Sequence, residues 1–171
     1  MKIKDAETLI QKAFDEDGGI ECWADLGCGS GIFTYAVANC LKAGSTIYAV
    51  DKEMPVLSPT NNVNIQCIRA DMETIIFRNN ELDGILMANS FHYVKDKNSL
   101  IQRIRNFLKS DGRFLIVEYD TDKSNRWVPF PITFQELLLL FKNNGFHKVE
   151  KIGERSSIFG PQKMYACVAR V

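Results

Sequence analysis

Apolar residues recur along this chain with two alternating spacings. Leu9, Ile10, Ala13 and Phe14 share one face of a helix that Gly18-Gly19 is placed to end, and the short apolar run at 20–26 has the length of a buried strand. Beyond a glycine cluster at 27–31, Phe33, Val37 and Leu41 give helical spacing over 32–43, stopped by Gly44. Strands follow at 46–50, 65–69 and 82–88, then a helix over 98–108 on Leu100, Ile101, Ile104 and Leu108, then a strand at 113–118. After a loop rich in Trp and Pro at 124–132, Thr133 and Glu136 fit a capping box for a helix over 133–144, ended by Gly145. Strands near 147–152 and 163–170 close the chain. Such alternation predicts an α/β fold, a mostly parallel sheet with helices on both faces. Two crossovers break the pattern. Pro55, Pro59 and Asn61-Asn62 interrupt one, and 72–81 is only weakly helical, so both are expected to be short or irregular.

The 171 residues make one domain's worth of chain, with no repeat, low-complexity segment or linker, so a single domain over 1–171 is expected. Twenty-one basic side chains balance twenty-one acidic ones, which leaves no general field for a polyanion and argues against a nucleic-acid or membrane-surface partner. Five cysteines form an odd set without a Cys-x-x-Cys pair and read as reduced, buried thiols. The first 19 residues read as a charged amphipathic helix and a possible lid, without the features of a signal peptide, and no run reaches membrane-spanning length. A cytoplasmic protein is expected.

The strongest chemical signal is Asp25-Leu26-Gly27-Cys28-Gly29-Ser30-Gly31, set where a buried strand meets a helix. Alternating glycines let backbone approach a ligand and adopt positive φ, and a helix N-terminus aims free N–H groups at negative charge. A tight turn without ligand is the plain alternative. A dinucleotide fingerprint would need its third glycine at 32, where Ile32 stands. Asp51 closes the second strand 24 residues beyond Gly27, which suits a carboxylate accepting from ribose hydroxyls. The stretch from Asp25 to Gly31 resembles motif I of the class I S-adenosylmethionine-dependent methyltransferases. That resemblance implies a Rossmann-like sheet of seven strands with the last one antiparallel, inserted between the fifth and sixth. It also implies S-adenosylmethionine as cofactor. Its contacts would come from Asp25, Gly27, Cys28, Gly29, Gly31, Asp51, Lys52, Asp71, Met72 and Asn89, with the cofactor's carboxylate at the helix N-terminus. Asp71 equally suits a helix N-cap. The prolines after Asp51 depart from the family's pattern and disturb the usual helix there, although Met54 or Pro55 could pack on adenine.

In an open α/β sheet the second substrate binds beyond the fourth and fifth strands, here Asn89-Ser90-Phe91-His92-Tyr93 and Glu118-Tyr119-Asp120. The first segment lacks the prolines of base-modifying methyltransferases and is similar to the Asn-x-x-His stretch of many small-molecule ones. His92 has the proton affinity of a general base for an acceptor hydroxyl or amine, with a structural role as its alternative; Tyr93, Glu118 and Tyr119 are further pocket candidates. His147 reads as a surface residue. Trp127 and Phe130, between prolines, either wall an acceptor pocket or cover the sheet edge. Glu118, Asp120 and Asp122 read as a solvated acidic loop, and no metal site is expected. The implied function is methyl transfer to a small molecule by a monomer or homodimer. A catalytically silent cofactor-binding subunit and a nicotinamide-dependent oxidoreductase are the rivals.

Overall fold

The computed structural model describes residues 1–15, 18–156 and 162–171. Seven strands form one sheet: β1 (Cys22–Leu26), β2 (Thr46–Asp51), β3 (Asn64–Arg69), β4 (Leu82–Ala88), β5 (Leu108–Tyr119), β6 (Lys148–Ser156) and β7 (Lys163–Arg170). Their order is β3-β2-β1-β4-β5-β7-β6. The first five strands pair in parallel, while β7 runs antiparallel between β5 and β6, as the resemblance implied. The chain leaves β3 at one edge and returns to β4 beside β1. That reversal opens a crevice beyond the carboxyl ends of β1 and β4.

Side chains on the central strands alternate between two covered faces. Trp23, Leu86, Leu115, Val117 and Val168 face α1 (Ile3–Ile10) and α2 (Ile32–Cys40). Ala24, Ile85, Met87, Phe114, Ile116 and Cys167 face α3 (Lys97–Ile104) and α4 (Phe134–Asn143). Burial on both faces explains why 85–88 and 114–117 read as unbroken apolar runs.

Several boundaries differ from expectation. α1 stops at Ile10, followed by one tight 3₁₀ turn at Gln11–Ala13, well before Gly18-Gly19. Phe14 turns extended and packs its ring 5.1 Å from that of Trp23, so contact with β1 displaces further helix. α2 ends at Cys40, and Gly44, at φ +92°, serves the turn into β2 rather than the helix end. β5 begins at Leu108, where pairing with Leu82 draws in residues expected in the preceding helix. The crossovers at 52–63 and 70–81 contain no helix. In the first, Leu57 joins Tyr35 of α2 in covering Ala49 and Ile65, and in the second Ile75 and Phe77 pack on the α3 face. All five cysteines are free, with Cys28 and Cys167 buried and the other three only half-buried. No helix among the described residues is long and apolar enough to cross a membrane.

Candidate active site

The glycine loop is tied to β2 by its own backbone. The Gly27 and Cys28 N–H groups both donate to the Val50 carbonyl at 2.8 and 3.0 Å, and the Gly31 N–H donates to the Cys28 carbonyl at 2.9 Å. Gly27, Gly29 and Gly31 all take positive φ, at +82°, +51° and +79°. Their reasons differ. A Cβ on Gly27 would stand 2.5 Å from Ser90 Cβ, and one on Gly31 would run into Leu57, so these two serve packing as well as conformation. A Cβ on Gly29 would meet nothing within 4 Å, so here the backbone lies open to a ligand. Asp51 is locked to this loop, because its Oδ2 accepts from the Gly29 N–H at 2.9 Å. Burial pushes the Cys28 thiol up, which keeps it protonated and inert.

Beneath the loop, Asp25 is 1% exposed. Its Oδ2 accepts from the Thr34 hydroxyl at 2.6 Å, while Oδ1 has no partner among the described residues. Burial pushes this carboxyl up to about 7, against the Thr34 hydrogen bond and with the help of the Asp51 charge. Asp25 lines a cavity of about 310 Å³ together with Gly27, Cys28, Gly29, Ser30, Phe33, Asn89, Tyr119, Arg155 and Met164. An unpaired, buried carboxylate oxygen is a strong attractor for a ligand ammonium. The amino-acid end of S-adenosylmethionine carries one, and the α2 N-terminus suits its carboxylate. The residues present therefore fit that group.

Asp71 follows β3. Its Oδ1 accepts from the Glu73 N–H at 2.9 Å and its Oδ2 lies 3.2 Å from Lys52 Nζ. Partial burial raises this carboxyl, but the Glu73 N–H and Lys52 outweigh it and hold the group below its ordinary value. Asp71 closes a turn, not a helix. Met72 is buried under the loop, Met54 is exposed and Pro55 buried.

The fourth strand ends in a second cluster. Asn89 takes φ +54°, its N–H donates to the Val117 carbonyl at 2.8 Å, and its Oδ1 is buried without a partner among the described residues. The Ser90 hydroxyl donates to the Leu26 carbonyl at 2.6 Å, joining this segment to β1. His92 and Glu118 are both buried. Glu118 Oε1 accepts from the His92 backbone N–H at 3.1 Å, and Oε2 lies 2.7 Å from Nδ1. A carboxylate in that position accepts a hydrogen bond from a proton carried on Nδ1, so in the neutral ring Nε2 keeps its lone pair. His92 lines a cleft of about 590 Å³ with Asn89, Tyr93, Tyr119, Asn125, Trp127 and Val128.

The aromatic loop is held over this cleft. Asn125 Oδ1 accepts from the Trp127 and Val128 N–H groups at 2.8 and 3.0 Å, and the Phe130 N–H donates to the His92 carbonyl at 3.0 Å. Trp127 is 70% exposed, so it walls the cleft and does not seal the sheet edge. The acids at 118, 120 and 122 diverge: Glu118 turns to His92, Asp120 Oδ1 accepts from the Phe134 N–H, and Asp122 is exposed. His147 is exposed, as expected.

Sequence reasoning missed Thr34, Met164 and Arg155, and it named Ser90 as part of the acceptor segment without its tie to β1. Thr34 sits one turn inside α2, where the loop-to-helix geometry aims it back at Asp25. Met164 and Arg155 reach the site only through tertiary packing. α1 packs against α2 and β6, and among the described residues of the N-terminal segment only Met1 lines the glycine-loop cavity.

Comparison with known proteins agrees with this geometry. A family described as a methyltransferase domain matches residues 24–116, more than half of the chain. The mitochondrial arginine-hydroxylase NDUFAF5 of Danio rerio is 34% identical over 56 residues, which are 33% of this chain and 17% of that protein, so this chain aligns with only a small part of it. Among solved structures, YcgJ of Bacillus subtilis superposes with a TM-score of 0.71 at 14% identity over 98% of each chain. The 1,6-didemethyltoxoflavin-N1-methyltransferase of Burkholderia thailandensis, with bound 1,6-didemethyltoxoflavin and S-adenosylhomocysteine, gives 0.69 at 18% identity over 98% of this chain and 77% of that one. Sheet order, glycine loop and family match agree, and the chain belongs to the class I S-adenosylmethionine-dependent methyltransferases.

Proposed function

We propose that this chain transfers a methyl group from S-adenosylmethionine to the hydroxyl or amine of a small-molecule acceptor held against Trp127. One observation carries the reading: the glycine-loop cavity and the His92 cleft share Asn89 and Tyr119, so their occupants would meet across one wall. Asp25 and the α2 N-terminus would take the methionyl end, with the backbone of Gly27, Cys28, Gly29 and Gly31 in close approach. Asp51 and Lys52 would take the ribose, and Asp71 and Met72 the adenine. When bound, S-adenosylmethionine supplies an electrophilic methyl group on a sulfonium. His92 Nε2 removes the acceptor's proton, and Glu118 holds the tautomer and stabilises the imidazolium that results. Tyr93, Tyr119 and Trp127 orient the acceptor. Alignment of this kind removes roughly 7–11 kcal/mol of barrier. The catalytic unit is the whole chain, 1–171, acting in the cytoplasm as a monomer or homodimer, without nucleic-acid or membrane partners.

The test is incubation with methyl-labelled S-adenosylmethionine and a library of small hydroxyl and amine compounds, read by mass. Label on a small molecule supports the proposal. Label only on macromolecules, added oxygen in place of methyl, or no transfer overturns it.

A further inference from the structure

Among the described residues, the glycine-loop cavity holds one cationic side chain, and it comes from the far edge of the sheet. Arg155 on β6 lines the same cavity as Asp25, although β6 is four strands away from β1 in the sheet order. Its register partner Met164 on β7 also lines the cavity and is buried. Arg155 is only 28% exposed and its Nη1 lies 3.6 Å from Asp5 Oδ2. At that length the pair is loose. Asp5 is already engaged, since the same Oδ2 accepts from the Lys2 N–H at 3.2 Å where α1 begins. A guanidinium carries five donors in a rigid fork, and among the described residues its ion-pair partner is this single distant carboxylate oxygen, which does not satisfy them.

Among the described residues, the cavity thus holds both a buried carboxylate oxygen without a partner and a guanidinium with one loose partner. An α-amino acid group has the complementary pair, an ammonium and a carboxylate on one carbon. We propose that Arg155 is a specificity residue for the carboxylate of the cofactor's methionyl end, acting with the α2 N-terminus while Asp25 takes the ammonium. The inference rests on the reading that this cavity receives that end of S-adenosylmethionine. Asp5 then acts as a resting partner that the ligand carboxylate replaces or joins.

The experiment uses two ligands that differ only in the carboxylate, S-adenosylmethionine and its decarboxylated form. Both are titrated by calorimetry into wild type, Arg155→Met and Asp5→Asn. Wild type is expected to prefer S-adenosylmethionine by about 10- to 100-fold, the span of charge-assisted hydrogen bonds to one group. Arg155→Met should lose most of that preference while binding the decarboxylated ligand as wild type does. Asp5→Asn should keep it. Loss of preference in both variants would assign Arg155 to holding α1 and overturn the inference, as would a preference that survives in Arg155→Met. If wild type binds both ligands equally, the Arg155 role falls and the function stands. If wild type binds neither, both fall.

Discussion

The two halves of the site are built from different material. The cofactor half is mostly main chain: three positive-φ glycines, two N–H groups fixed on the Val50 carbonyl, and Asp51 locked to the Gly29 N–H. The acceptor half is side chain: His92 on Glu118, two tyrosines, and a tryptophan on a loop pinned by Asn125. A main-chain cradle recognises what every member of a family shares. A side-chain cleft can change without disturbing the strands below it. On the proposed reading, the glycine loop would hold the shared cofactor, and the cleft would set the individual acceptor.

The contrast can be broken at its sharpest point by His92→Ala. Turnover should fall about 10²- to 10⁴-fold, while affinity for S-adenosylhomocysteine stays unchanged. Equal turnover at saturating acceptor would remove the base assignment. Gly27→Ala tests the other half, because the new Cβ meets Ser90 at 2.5 Å with φ at +82°. Strain and overpacking should lower stability by about 2–4 kcal/mol in urea unfolding and weaken cofactor binding as well, where a side-chain change in the cleft spares it.

The smallest effect concerns Asp25 and pH. Its folded value of about 7 stands above the ordinary 3.8, so the folded state holds the proton through the window between them. Stability of the ligand-free protein is fullest below that window and declines as pH rises through it, and Asp25→Asn should flatten the decline. A ligand ammonium favours the carboxylate. Cofactor binding at pH 6 should therefore release up to about one proton, and almost none at pH 9, measured by calorimetry in buffers of different ionisation enthalpy. No pH dependence of release would leave Asp25 without its ammonium.

All seven strands could be read from the sequence, because alternation and apolar runs report burial locally. The same holds for the glycine loop, whose conformation only glycine tolerates repeatedly, and for the irregular crossovers, announced by proline and asparagine in the first and by weak helical pattern in the second. Helix ends were less readable. α1 ends early because Phe14 is claimed by Trp23, a contact across 9 residues that no capping rule contains. The His92–Glu118 pair was named as two separate candidates, but their 2.7 Å approach follows from β4 lying beside β5. Arg155 carries no local mark at all, since its place in the same cavity as Asp25 depends on the whole sheet order.

The chain's two tryptophans occupy opposite environments. Trp23 is fully buried, with its ring against Gly84 and the Arg113 guanidinium 4.9 Å from its centre, whereas Trp127 stands largely in water at the cleft. The consequence is optical. Trp23 emission should be blue-shifted and closed to acrylamide, and it should move only on unfolding. Trp127 emission should be red-shifted and open to quencher until an acceptor shields it. Unfolding and acceptor binding can thus be followed in the same unlabelled sample at two wavelengths, and Trp127→Phe removes the second signal without touching the first.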